Sequence, residues 1–106
     1  MMLQMKFEIA NYTADTFSPY VGQVLIFGPG DVQLELLQVT RRNAGQVPAG
    51  FREPFSLLFA LRSAEPLGRG LHRIVQEDFE PADWFLTRVL APGRDPRLAY
   101  YEAVFG

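Results

Sequence analysis

Hydrophobic positions recur along the chain with a period of two, in short runs interrupted by Gly, Pro and Asp. Such spacing places alternate side chains on opposite faces of an extended chain, so it predicts antiparallel β-structure and no long helix. Residues 23–27, the tetrapeptide Gly28-Pro29-Gly30-Asp31 and residues 32–40 read as a hairpin whose glycines supply the positive φ of a tight reversal. In its second strand Val32, Leu34 and Leu36 share one face while Leu37 and Val39 share the other. That one-residue slip predicts a β-bulge or strong coil near Leu36-Leu37, and a strand bent there suits a barrel or a tightly curled sandwich.

The run 51–62 alternates cleanly, with Phe51, Phe55, Leu57, Phe59 and Leu61 on one face and Arg52, Pro54, Ser56, Ala60 and Arg62 on the other. Burying such side chains is worth about 1.5 to 3 kcal/mol each, which makes this the expected core strand. Leu58 renders its second face partly apolar and calls for cover on both sides. The uncharged window 55–61 sits between Arg52, Glu53, Pro54 and Arg62 as gatekeepers, so it must be a central strand or pair with another chain. Further strands are expected at 71–76, 84–90 and 98–105, separated by polar loops at 43–50 and 63–70, an acidic turn at 77–83 and a loop at 92–96. Residues 13–21 carry a short helical turn, with Thr13 as cap and Pro19 at a tolerated first position. The fold class is therefore all-β: one domain over residues 1–106, a small antiparallel barrel or sandwich of six or seven strands.

With 106 residues and 48% hydrophobic positions the chain can build one core. Because a domain of this size buries roughly two-thirds of its unfolded surface, it needs no staples. There is no Cys, which removes disulfides, a thiolate nucleophile and a thiolate zinc site, and leaves a reducing cytosol tolerated. A formal charge of −2 supplies no field to draw nucleic acid or anionic lipid. Neither a signal peptide nor a bilayer-length apolar stretch is visible, so a cytoplasmic protein without membrane or nucleic-acid partners is expected.

Candidate chemistry is sparse, and no cofactor or metal is expected. Glu77, Asp78, Glu80 and Asp83 could offer oxygens to Ca²⁺, yet Phe79 and Pro81 break the alternation of a calcium loop, and a solvated acidic turn is the expected role. His72 is the one histidine, and only Ser18, Ser56 and Ser63 could serve beside it as serine nucleophiles, so a nucleophile triad lacks parts. An enzyme using His72 with Glu77 or Asp78 is kept only as a third reading, because distant residues converge in folds. Gly28, Gly30, Gly68 and Gly70 form no phosphate-loop pattern and read as turn glycines. The sequon Asn11-Tyr12-Thr13 has no visible secretory route.

Among the aromatics, Phe51, Phe55, Phe59, Phe85 and Phe105 read as core. Tyr12, Tyr20, Trp84, Tyr100 and Tyr101 read as rim or interface, since their polar tips suit half-wet positions. Trp84, Tyr100 and Tyr101 are the partner-binding candidates.

The segments Glu53-Pro54-Phe55-Ser56-Leu57-Leu58-Phe59, Gly70-Leu71-His72-Arg73-Ile74 and Tyr101-Glu102-Ala103-Val104-Phe105, with Phe17-Ser18-Pro19-Tyr20-Val21-Gly22 before them, carry a resemblance. Over nearly its whole length the chain resembles a family of uncharacterised bacterial proteins whose name amounts to domain of unknown function. The resemblance implies no activity and no catalytic residue. It implies a gene neighbourhood of phage-tail-collar-like proteins, hence a tail-like or surface-fibre assembly. The acidic turn departs from the family pattern, with Phe79, Pro81 and Trp84 in place of a Gly-rich hairpin.

The expected function is a non-enzymatic protein-interaction or assembly module that binds a protein partner or forms a homo-oligomer. The alternative is a small apolar-ligand-binding barrel whose cavity lies among Phe55, Phe59, Leu71, Trp84 and Tyr100.

Overall fold

The computed structural model describes residues 6–41, 53–63, 67–68 and 70–106. Phe51, Arg52 and the loop 43–50 lie outside these. Strands β1 (Val24–Gly28), β2 (Val32–Arg41), β3 (Phe55–Leu61), β4 (Gly70–Ile74), β5 (Ala82–Val89) and β6 (Tyr100–Phe105) are the elements the alternation predicts. They close into an antiparallel barrel in the order β1-β2-β3-β6-β5-β4. The β1–β2 reversal uses Gly30 at φ +86° and Asp31 at φ +52°, so one of the two left-handed positions falls to Asp31. An Asp tolerates that region better than most side chains.

The slip in the apolar phase of β2 is a bulge. Leu36 pairs with Phe59 and Gln38 with Leu58, so Leu37 is the extra residue, and both Leu36 and Val39 point inward despite their odd spacing. The bend lets a long strand follow a tightly curved wall.

Inward positions fill the barrel. Leu25, Phe27, Leu34, Leu36, Leu57, Phe59, Ile74, Trp84, Leu86, Tyr101 and Ala103 form one buried cluster. At one end the N-terminal segment plugs the opening. Thr13 caps helix α1 (Ala14–Phe17) in a capping box with Thr16, and Pro19 lies in the first turn of the following 3-10 turn Ser18–Tyr20. Satisfying the free N–H groups in this way holds the turn despite its length. It carries Phe17 inward to stack on Phe79 and Phe105 and to meet Trp84 edge-on. Phe7 completes this end by a short parallel bridge to Phe79, with its N–H bonded to Asp78 O at 2.9 Å.

Two expectations about aromatics are corrected. Phe85 is not core: it faces out of the barrel and is 57% exposed. Tyr12, Trp84 and Tyr101 are not rim but centre, with Trp84 only 1% exposed. Their polar tips are satisfied inside: Trp84 Nε1 donates to Tyr12 Oη at 3.3 Å, and Tyr101 Oη donates to Leu67 O at 2.8 Å. A paired N–H or O–H removes the main cost of burying these rings.

The second face of β3 is covered, as its apolar content requires. Ser56 and Ala60 point outward yet are buried. Tyr100 lies opposite Ala60, and Leu90, Ala91, Pro92 and Arg94 share a groove with Ser56 and Leu58. Arg94 ties that loop to β2 by donating to Gln38 Oε1 at 3.2 Å.

Candidate functional site

The barrel interior is packed with rings. Phe27 and Phe59 lie against Trp84 at centroid distances of 5.1 and 6.3 Å, and Phe105 lies 5.2 Å from it on the other side. The five residues expected around an apolar cavity are not gathered. Phe55, Phe59 and Trp84 are inside, Leu71 is outside and 65% exposed, and Tyr100 is on the outer face under the β5–β6 connection. Trp84 and Tyr101 offer no surface to a partner, and Tyr100 is buried, its hydroxyl donating to Asp95 O at 2.8 Å.

The outer wall presents other residues. Strand geometry sends Leu71 and Phe85 outward, and they are direct cross-strand partners on β4 and β5. The β5–β6 register pairs Thr87 with Glu102. Leu71 and Phe85 thus form an apolar pair on the outer wall, and Val104 is 58% exposed on the next strand, beyond the last paired residues Thr87 and Glu102. Beside the apolar pair a shallow groove of about 410 Å³ is lined by Pro29, Leu71, Val75 and the Arg73–Asp83 ion pair, whose atoms are 3.1 Å apart.

A second surface feature lies at the β5–β6 connection. A cleft of about 420 Å³ is lined by Arg88, Leu90, Pro92, Arg94, Leu98 and Tyr100, among others. The connection is held in shape: Arg94 N–H bonds to Ala91 O at 3.1 Å, and Asp95 accepts from both the backbone and the guanidinium of Arg97. These Arg97 bonds hold the Asp95 carboxyl below the usual carboxylate range.

The acidic turn is structural where it is buried and solvated elsewhere. Phe79 is inside, whereas Glu77, Asp78 and Glu80 are exposed. Asp78 accepts from Tyr20 Oη at 2.9 Å, and Asp83 is paired with Arg73. Burial, and then the Asp78 carboxylate, push the Tyr20 hydroxyl up to about 12. Burial also raises Tyr12, against a smaller opposing effect from its bond with Trp84. Among the described residues no group of three or more His, Asp or Glu is arranged to hold a metal ion. His72 faces the inner side of β4 opposite Trp84, and its Nε2 donates to Gly68 O at 2.6 Å. Of the two acids expected beside it, Glu77 is exposed and Asp78 accepts from Tyr20 Oη.

Sequence reasoning missed the outer apolar residues and the cleft. Part of the signal for Phe85 was present: it shares its phase with Asp83 and Thr87, although the third polar residue of β5, Arg88, falls on the phase of Trp84 and Leu86. For the cleft no local signal exists, because it arises where the connection folds back over the barrel wall.

Neither a curated protein nor a solved structure matches the chain. A family model does, over residues 12–105, which is the barrel with its helical plug. The chain belongs to the family described as Domain of unknown function (DUF6916).

Proposed function

We propose that the protein is a non-enzymatic interaction module that docks another polypeptide on the outer wall of β4, β5 and β6. The observation that carries this reading is Leu71, Phe85 and Val104, each more than half exposed on three adjacent strands, with Leu71 and Phe85 direct cross-strand partners. Large apolar side chains grouped on a wall of otherwise alternating character mark contact surfaces. A small ligand needs enclosure, which the convex wall lacks, so a macromolecular surface is the fitting occupant. Each of these side chains, already partly covered, would gain roughly 1–2 kcal/mol on burial, which suits them to the apolar centre of a larger contact whose rim supplies the rest. The Arg73–Asp83 pair, which lines a groove with Leu71, supplies polar groups for such a rim. A role as an accessory of a tail-like or surface-fibre assembly, which the family resemblance implies, fits a binding module of this kind.

The experiment is native mass spectrometry of the protein gently purified from its host, beside the double variant Leu71→Ser with Phe85→Ser. The expected result is a defined complex with the parent chain and a folded, uncomplexed double variant. A complex recovered equally with both chains would refute this docking face.

A further inference from the structure

We propose that the cleft beneath the β5–β6 connection is a binding site for a small amphipathic monocarboxylate, a ligand with one carboxylate on a short hydrocarbon body. This site is separate from the docking wall and stands on different residues.

The charge pattern points to the carboxylate. Four of the described arginines are held by an acid: Arg41 by Asp15 and Glu53, Arg62 by Glu35, Arg73 by Asp83 and Arg97 by Asp95. Arg88 and Arg94 have no carboxylate partner among the described residues, and both line this one cleft. Among the described residues, the Arg94 side chain is hydrogen-bonded to the neutral amide of Gln38 and to no carboxylate. That contact leaves its charge uncompensated and its remaining N–H groups available, and a guanidinium presents a planar fork that matches a carboxylate. Glu102 lines an adjoining groove that Arg94 also borders, and it has an interaction of its own.

The hydrocarbon body follows from the walls. Leu90, Pro92, Pro96 and Leu98 line the cleft, with Leu90 at its exposed rim. The volume of about 420 Å³ lies at the lower end of small-molecule sites. The hydrogen bonds within the connection fix the cleft in advance, which lowers the ordering cost of binding.

The test titrates isotope-labelled protein with sodium octanoate, octanol and octylammonium while backbone amide shifts are recorded. Expected are saturable shifts confined to residues 88–100, and octanoate at least tenfold tighter than either of the other probes. The double variant Arg88→Gln with Arg94→Gln should bind octanoate no better than octanol. Equal binding of octanoate and octanol, shifts mapping elsewhere, or a folded double variant with undiminished octanoate binding would each overturn the proposal. If the double variant does not fold, the comparison of the three probes on the parent chain decides alone.

Discussion

Removing Trp84 and Tyr101 together should unfold the barrel rather than merely silence a surface. The indole of Trp84 is enclosed by Tyr12, Phe17, Phe27, Phe59 and Phe105. Truncating such a ring to alanine costs about 3–5 kcal/mol through lost transfer energy and the cavity left behind. Tyr101 is fully buried, and its hydroxyl both donates to Leu67 O at 2.8 Å and accepts from Leu67 N–H at 3.2 Å. Its loss should cost a similar amount and leave those backbone groups seeking water. Both side chains neighbour Phe59, so the two effects will not add fully, and about 5–9 kcal/mol is the expected sum. That is comparable with the whole stability of a domain this size, about 5–15 kcal/mol.

The assay is urea unfolding followed by circular dichroism and tryptophan fluorescence where Trp84 remains. At a slope of about 2 kcal/mol/M, Tyr101→Ala alone should lower the midpoint by roughly 1.5–2.5 M, and the double variant should be largely unfolded in buffer. By contrast, Phe85→Ser, on the outer wall, should move the midpoint little, since exposed substitutions stay within about 0.5 kcal/mol. A double variant with the parent midpoint would refute the packed interior and restore these aromatics to a rim.

Two further outcomes follow from the helical plug. Thr13→Ala removes the side chain that accepts from Thr16 N–H and should cost about 1 kcal/mol in thermal unfolding, with no change in the barrel's far-ultraviolet spectrum. Tyr20 should titrate near 12 by ultraviolet absorbance. A folded value raised above the unfolded value of about 10 means that its contribution is intact below pH 10 and is lost as pH rises toward 12. Melting temperature should therefore fall across that window, and less steeply in Tyr20→Phe, where the raised Tyr12 leaves part of the slope.

The local signals were the legible ones. The β1–β2 hairpin, the Thr13 cap and the bulge each depend on residues adjacent in the chain, so composition and phase announced them. Trp84 and Phe85 were exchanged because Trp84, Phe85 and Leu86 are consecutive large apolar residues, and the polar flanks that could set their phase disagree, Asp83 and Thr87 against Arg88. The expected rim failed for a related reason. A polar tip argues for water only if no partner waits inside, and the partners here, Tyr12 for Trp84 and Leu67 for Tyr101, are distant in sequence. The cleft was illegible because it needs the connection to fold back onto Gln38, a contact between residues 56 positions apart.

The bulge yields a sharper test than any point substitution, because the barrel contains two half-buried leucines with opposite roles in register. Leu37 is the surplus residue of β2: Leu36 before it points inward, Gln38 after it points outward, and deleting Leu37 leaves both orientations unchanged. Leu58 sits in regular pairing on β3, between inward Leu57 and inward Phe59. Deleting it sends either Phe55 and Leu57 or Phe59 and Leu61 to the outside, since side chains alternate with a period of two. Two large side chains expelled at about 1.5–3 kcal/mol each cost roughly 3–6 kcal/mol, before the polar groups drawn inward are counted. The Leu37 deletion should therefore keep a cooperative melt at a moderately lower temperature, the loss being the bend that eased β2 around the wall. The Leu58 deletion should show no cooperative transition. If the two deletions melted alike, alternation would not be what holds this barrel in register, and the assignment of Phe85 and Leu71 to its outer wall would fall with it.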